Sequence, residues 1–210
     1  MSRLYFEILS EEQKKTLISL KIFSKHGFLG GGTALAIQLT HRRSYDFDIF
    51  CPTSISRGFF LKVKEHFKKF QILINTSDEL SLVSSLGVKI SFIFYPFKPL
   101  YKIIPTAGLG IYSWKDIALD KAYTLGRRGE WRDYIDIYFI LKAGFSLKKI
   151  IKQAEKKFGD SFSKKLFLSQ LCYFGDIKDY SIELLKREIT PSHLQRFFEE
   201  EIKKMELIRL

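Results

Sequence analysis

The sequence predicts an α/β fold: a mixed β-sheet core with flanking helices, followed by a C-terminal helical bundle. Three observations carry this expectation. Short β-rich runs at residues 28–29, 46–51, 71–75 and 88–95 alternate with amphipathic helical stretches in the first half of the chain. From Ser113 onward every well-patterned segment has helical periodicity. Pro96 and Pro99 mark the change, and no long Gly/Ser or Pro-rich tract separates the halves. Residues 1–110 therefore read as an α/β core domain and residues 111–210 as a helical region joined to it without a flexible linker.

At 210 residues and 46% hydrophobic composition, the chain can build one substantial core with a helical appendage. Its 20 Phe and 10 Tyr show no repeat, so they read as core filling rather than as a base-stacking array. No apolar run approaches the ~20 residues of a membrane span. The opening MSRLYFEILSEEQKK lacks the apolar stretch and cleavage site of a signal peptide, so a cytoplasmic protein without a membrane partner is expected. Cys51 and Cys172 have neither metal-ligand spacing nor the density of a disulfide scaffold, and both read as small buried hydrophobes. His26, His41, His66 and His193 form no zinc-binding pair. An excess of 35 Lys and Arg over 23 Asp and Glu leaves +12, which favours a polyanionic partner such as RNA.

In chain order, Ser10 and Gln13 form a capping-box pattern that opens a helix over residues 11–26, ended by Gly27. Phe28 and Leu29 form a short strand, and a helix runs from Thr33 to His41. The alternation of Asp46, Phe47, Asp48 and Ile49 makes a strand over residues 46–51, with both carboxylates on one face and Phe47 and Ile49 in the core. Residues 56–69 read as an amphipathic helix, with Phe59, Phe60, Val63 and Phe67 inward and Lys62, Lys64, Lys68 and Lys69 outward. Those lysines suit either a solvated face or an RNA-facing stripe. The segment between the β-rich runs 71–75 and 88–95 has some strand character of its own, and the resulting mixed sheet continues from the Asp-bearing strand.

The stretch LGGGTALAIQLTHRRSYDFDIF, residues 29–50, concentrates the chemistry. Gly31, Gly32 and Thr33 would seat a phosphate: the glycines let backbone N–H groups approach it closely, and a helix starting at Thr33 aims its N-terminal partial positive charge at the same anion. Asp46 and Asp48 on one face repel each other unless a hard cation such as Mg2+ (or Mn2+) joins them, sharing its coordination with substrate phosphates. Arg42 and Arg43 stand immediately before the carboxylates and would steer a phosphate-bearing substrate. A glycine turn can be a mere tight connection, and two aspartates can simply face solvent. It is their combination at short range that points to a site for a nucleoside triphosphate and metal. His41 beside it reads as structural or substrate-orienting rather than as a general base.

The Gly-Gly-Thr turn, the His-Arg-Arg-Ser approach and the Asp-x-Asp strand together resemble the signature of the nucleotidyltransferase superfamily, in its branch of AbiEii-type toxins of bacterial toxin-antitoxin systems. The segment DIALDKAYTLGRRGEWRDYIDIYFIL, with Asp116, Lys121, Arg127, Arg128, Asp133 and Asp136, is similar to a second signature of that branch. The resemblance implies an enzyme that moves a nucleoside monophosphate from an NTP to an acceptor hydroxyl. The acceptor it suggests is RNA, at the 3′ end of tRNA, and a cognate antitoxin protein is the implied partner. Lys121 would contact the triphosphate and Asp46 and Asp48 would hold the metal. Where the superfamily supplies a third carboxylate, this chain has Ser91, so a rival expectation is a catalytically impaired fold that binds nucleic acid or a partner protein.

Geometry adds limits to that second segment. Asp116 and Lys121 lie about 140° apart around a helix, from ~100° per residue, and must reach different partners. Asp133 and Asp136 share a helix face. Asp136 reads as an inward support for a basic group, and Asp133 as that or as an ion-pair partner of Lys121, Arg127 or Arg128. Further on, Ser146 and Gly159 bracket a basic helix carrying Lys148, Lys149, Lys152, Lys156 and Lys157 around an apolar side of Ile150, Ile151, Ala154 and Phe158. Helices over residues 163–174 and 192–208 complete the bundle.

Overall fold

The computed structural model describes residues 3–186 and 188–207. The chain divides into two compact units, Met1–Ser113 and Trp114–Leu210.

In the first unit, α1 (Glu11–Ser19) opens on the complete capping box. Ser10 Oγ accepts from Gln13 N, and Gln13 Oε1 accepts from Ser10 N. The helix expected to reach residue 26 is shorter, because after Ser19 the chain tightens into a 3-10 turn, Leu20–Phe23. Three residues per turn put Leu20 and Phe23 on one side, and both are fully buried. Then come β1 (Phe28–Gly30), α2 (Gly31–Leu39), β2 (Phe47–Cys51), α3 (Arg57–Phe67), β3 (Phe70–Asn75), β4 (Glu79–Ser84) and β5 (Lys89–Phe94). The segment between the two β-rich runs is thus a full strand, β4. The sheet is mixed, in the order β1-β2-β5-β4-β3, with β2 and β5 parallel and every other pair antiparallel.

Alternation along β2 buries Phe47, Ile49 and Cys51 and leaves Asp48 on the other face. An aromatic cluster fills the core beneath: Phe23, Phe59 and Phe92 pack edge to face with centroids 5.0–5.7 Å apart. Lys62 on α3 does not point outward as the helix pattern suggests. Its Nζ lies 2.9 Å from His26 Nε2. Burial first, and then the Lys62 charge, hold His26 below its usual range. Strand β3 is one edge of the sheet and exposes Ile72, Leu73 and Ile74.

The second unit is helical: α4 (Trp114–Leu125), α5 (Trp131–Lys142), α6 (Leu147–Phe158), α7 (Lys164–Leu171) and α8 (Pro191–Leu207). Residue 208, included in the expected last helix, lies outside the described residues. Tyr134, Tyr138, Phe167 and Phe198 are fully buried and form the bundle's centre. Ser146 holds the N-cap position of α6 but makes no side-chain cap bond, while Gly159 ends the helix at a φ of +53°. Cys172 is half-buried rather than buried. Among the described residues no helix is long and apolar enough to cross a membrane.

Candidate active site

Helix α2 begins two residues earlier than expected, and the reason is Gly31. It adopts a φ of +64°, a left-handed conformation that turns the chain sharply from β1 into the helix. A Cβ at this position would collide with Asp48 Oδ2, so the absence of a side chain lets the helix N-terminus press against the Asp48 carboxylate. Gly32 does the same for Arg42, whose Nη2 would sit 2.6 Å from a Cβ there. Gly30, the N-cap residue, supplies no capping side chain. The first turn of α2 therefore brings backbone N–H groups, the Arg42 guanidinium and the Asp48 carboxylate together. Free backbone N–H groups at a helix start favour an anion, and the carboxylate beside them favours a cation.

The remaining expected residues of this half fall into two groups. Asp46 lies one residue before β2, half-exposed on the same side as Asp48, with Lys89 Nζ 3.8 Å from its carboxylate. Thr33 departs from expectation: its buried hydroxyl donates to the Asp46 carbonyl at 2.5 Å. That bond ties α2 to the entry of β2 and takes the side chain away from phosphate binding, leaving only the backbone N–H for that role. Arg42 is buried and donates from Nη1 to the Arg43 carbonyl at 2.9 Å, while Arg43 Nη1 donates to the Ile8 carbonyl. Arg43 is thus held as a brace for the approach loop. The loop is also clamped by Gln13, whose Nε2 donates to the carbonyls of Ser44 and Tyr45 at 2.8 and 3.2 Å. The local sequence around Gln13 shows only its capping role. His41 is fully buried, which favours packing over contact with a substrate. Cys51 closes β2 as an inert thiol, pushed up to about 12 by burial.

Ser91 is buried on β5 directly opposite Asp48 in the parallel ladder. The donor set of Asp46 and Asp48 suits a hard divalent ion that completes its shell with phosphate and water. Among the described residues no group of three or more His, Cys, Asp or Glu is placed to hold a metal by itself.

The second unit gathers Lys121, Asp133 and Asp136. Lys121 Nζ lies 2.5 Å from Asp133 Oδ1 and 2.7 Å from Asp136 Oδ2, and both carboxylates are fully buried. Arg128 Nε approaches Asp133 Oδ2 at 3.9 Å. The aspartates fix the direction of the Lys121 ammonium, and a charge so held loses little freedom when it binds a ligand. Arg127 is committed elsewhere, donating to the carbonyls of Tyr123 and Ser161. Asp116 faces away from this cluster. With Asp120 it holds Lys157, whose Nζ lies 3.2 and 2.6 Å from the two carboxylates. The helix pattern puts Lys157 on the exposed basic side of α6, but it is fully buried at its charged end. Its spacing from Ile150 and Ala154, seven and three residues, is the sequence signal for the core face.

A strand-borne carboxylate pressed against a glycine turn and the N-terminus of a helix is the frame of a nucleotidyltransferase. The match to the family model for the nucleotidyl transferase AbiEii toxin, type IV toxin-antitoxin system, spans residues 16–208, and the chain belongs to that family. It is 32% identical to an uncharacterised protein of Aquifex aeolicus (strain VF5), covering 93% of this chain and 96% of that one. Among solved structures, it is similar to MenT4, a nucleotidyltransferase toxin from Mycobacterium tuberculosis H37Rv. There the TM-score is 0.60 at 16% identity, over 90% of this chain and 81% of the other. The crystal structure of JHP933 from Helicobacter pylori matches with a TM-score of 0.54 at 17% identity, over 96% of both chains. The protein is a nucleotidyltransferase of the toxin class, for which an NTP is the substrate.

Proposed function

We propose that the enzyme transfers a nucleoside monophosphate from an NTP to a hydroxyl of RNA, at the 3′ end of tRNA, with release of pyrophosphate. The observation that carries this reading is the packing of the Asp48 carboxylate onto the glycine turn of α2, where Gly31 leaves no room for a Cβ. Asp46 and Asp48 would hold Mg2+ (or Mn2+), which when bound neutralises charge on the triphosphate. Gly31, Gly32 and the first N–H groups of α2 receive phosphate oxygens, and the buried Arg42 adds a fixed positive charge beside them. Lys121, aimed by Asp133 and Asp136, offsets negative charge that develops on the leaving pyrophosphate. Asp116 supports α4 through Lys157 and takes no part in the chemistry. The net charge of +12 draws in a polyanionic acceptor, and the exposed Lys148, Lys149, Lys152 and Lys156 of α6 form one face suited to its backbone. A cognate antitoxin controls the enzyme, which works in the cytoplasm.

Incubation of the protein with total tRNA, Mg2+ and each α-labelled NTP in turn tests the reading. Label should enter RNA with at least one NTP and should fall to background in Asp46→Asn/Asp48→Asn. Absence of label above that control with every NTP contradicts an RNA acceptor. Mg2+-dependent NTP binding that is lost in Asp48→Asn, without transfer to any acceptor, would assign the chain a binding role instead.

A further inference from the structure

The two edges of the sheet differ. At one edge, residues 110–112 cover β1: Leu29 N donates to the Gly110 carbonyl and Tyr112 N donates to the Leu29 carbonyl, both at 2.9 Å. At the other edge, β3 pairs with β4, and among the described residues no backbone group of Phe70–Asn75 bonds to anything else. A free row of N–H and C=O groups is a template for another strand, and lysine, proline or an inward charge commonly blunts it. The sequence of β3, FQILIN, holds none of these. Instead Ile72, Leu73 and Ile74 are 45%, 46% and 40% exposed in succession. Single exposed apolar side chains are ordinary, but three in a row on an open strand mark a surface for association. The one irregularity is a bulge at Leu73, which has no partner on β4, and it adds neither charge nor proline to the outer side.

The charges flanking β3 say which strand fits. Lys68 and Lys69 precede it and Asp78 follows it, and all three are exposed. Antiparallel pairing of two copies about a two-fold axis at Leu73 sets residues equally far before and after Leu73 opposite each other. Ile72 of one copy then faces Ile74 of the other, and Gln71 faces Asn75. The Lys68 end of each copy meets the Asp78 end of the other. Parallel pairing would instead set lysine beside lysine and aspartate beside aspartate. With an apolar centre, an amide pair on each side and opposite charges at both ends, the strand is complementary to itself.

We propose that the protein forms a two-fold dimer by antiparallel pairing of β3 with β3 of a second copy, joining two five-stranded sheets into one continuous sheet. The seam runs over six residues, about 20 Å at ~3.3 Å per residue, which is small for a specific interface. The dimer is therefore reversible, with a dissociation constant of about 1–100 µM. It lies three strands from β2, about 14 Å at ~4.8 Å per strand, and does not use the Asp48 face.

Sedimentation velocity of the full chain tests the dimer at concentrations of about 1 to 200 µM. Salt at about 0.15 M, with a Debye length of about 8 Å, screens the +12 of each body more than charges in contact. The wild type should move from monomer to dimer mass as concentration rises. Leu73→Lys sets two ammonium groups face to face at the axis; it should raise the dissociation constant about tenfold or more. Since Leu73 is exposed, the variant should unfold at the wild-type temperature when both are monomeric. Ile18→Lys, at a residue 74% exposed on α1, should leave the dissociation constant within about twofold. Lys68→Asp and Asp78→Lys should each weaken the dimer about threefold or more, and the two together should recover it to within about twofold. A wild type still monomeric at about 200 µM overturns the dimer and leaves the edge to a strand of a different protein. A dimer that Leu73→Lys weakens by less than about twofold overturns β3 as its seam. A charge-swapped double variant as weak as the single ones overturns the antiparallel register.

Discussion

Replacing Gly31 with alanine tests the geometry of the site more sharply than removing a charge. Two costs arise. The backbone sits at a φ of +64°, where an L-residue is strained by about 1–2 kcal/mol. The new Cβ would also overlap the Asp48 carboxylate. Gly87 separates the two, because it has a φ of +76° in the same unit and nothing within 4 Å of its Cβ position. Gly87→Ala should therefore cost only the strain. At about 2–4 °C per kcal/mol for a chain of this size, that is a fall of about 2–8 °C in the unfolding midpoint. Gly31→Ala should fall at least as far and should also displace Asp48 or tilt the start of α2, lowering nucleotidyl transfer by about 100-fold. Thermal unfolding followed by circular dichroism and transfer of α-labelled NTP measure the two effects. Gly31→Ala with wild-type transfer would refute the claim that Asp48 is seated by the glycine turn.

Other consequences follow from the same structure. Thr33→Val removes a buried hydroxyl bonded to the Asp46 carbonyl and should destabilise the protein by about 1–3 kcal/mol, read from urea unfolding. Lys157→Met leaves Asp116 and Asp120 without their shared cation and should cost about 3–5 kcal/mol in the same assay. His26 titrates below its usual 6.5 in the folded state, so the unfolded chain binds more protons in the window between the two values. Stability from this group is complete above that window and declines as pH falls through it; His26→Gln should flatten the decline, as seen in unfolding midpoints from pH 7 to 5. Changing Lys148, Lys149, Lys152 and Lys156 to alanine should weaken tRNA binding and flatten its dependence on salt, by up to about one unit of slope for each phosphate that is no longer neutralised.

Much of the fold is legible because it depends on local chemistry. The capping box at Ser10 and Gln13, the alternation through Phe47, Asp48 and Ile49, and the shift to helical periodicity after Ser113 each act within a few residues. What escapes depends on partners distant in sequence. Thr33 follows two glycines and reads as a phosphate ligand, yet its hydroxyl serves the Asp46 carbonyl thirteen positions on. Lys157 lies among exposed lysines, and only its alignment with Ile150 and Ala154 hints at the buried carboxylates of α4. Lys62 has helical spacing for solvent, but His26 packs against α3 and captures it. The hydrogen bonds of Ser81 to Ser91 and to Glu79 are hidden most completely, since the first exists only once the register of β4 on β5 is set.

The central claim is that the Asp48 face and the Lys121 cluster serve one transfer reaction, and steady-state pyrophosphate release with Mg2+, tRNA and the accepted NTP tests it most directly. Asp48→Asn and Lys121→Met, each shown to be folded, should both lower kcat by about 100-fold or more. If either variant keeps its kcat within about threefold of wild type, that residue is not part of the reaction and the role proposed for it is contradicted.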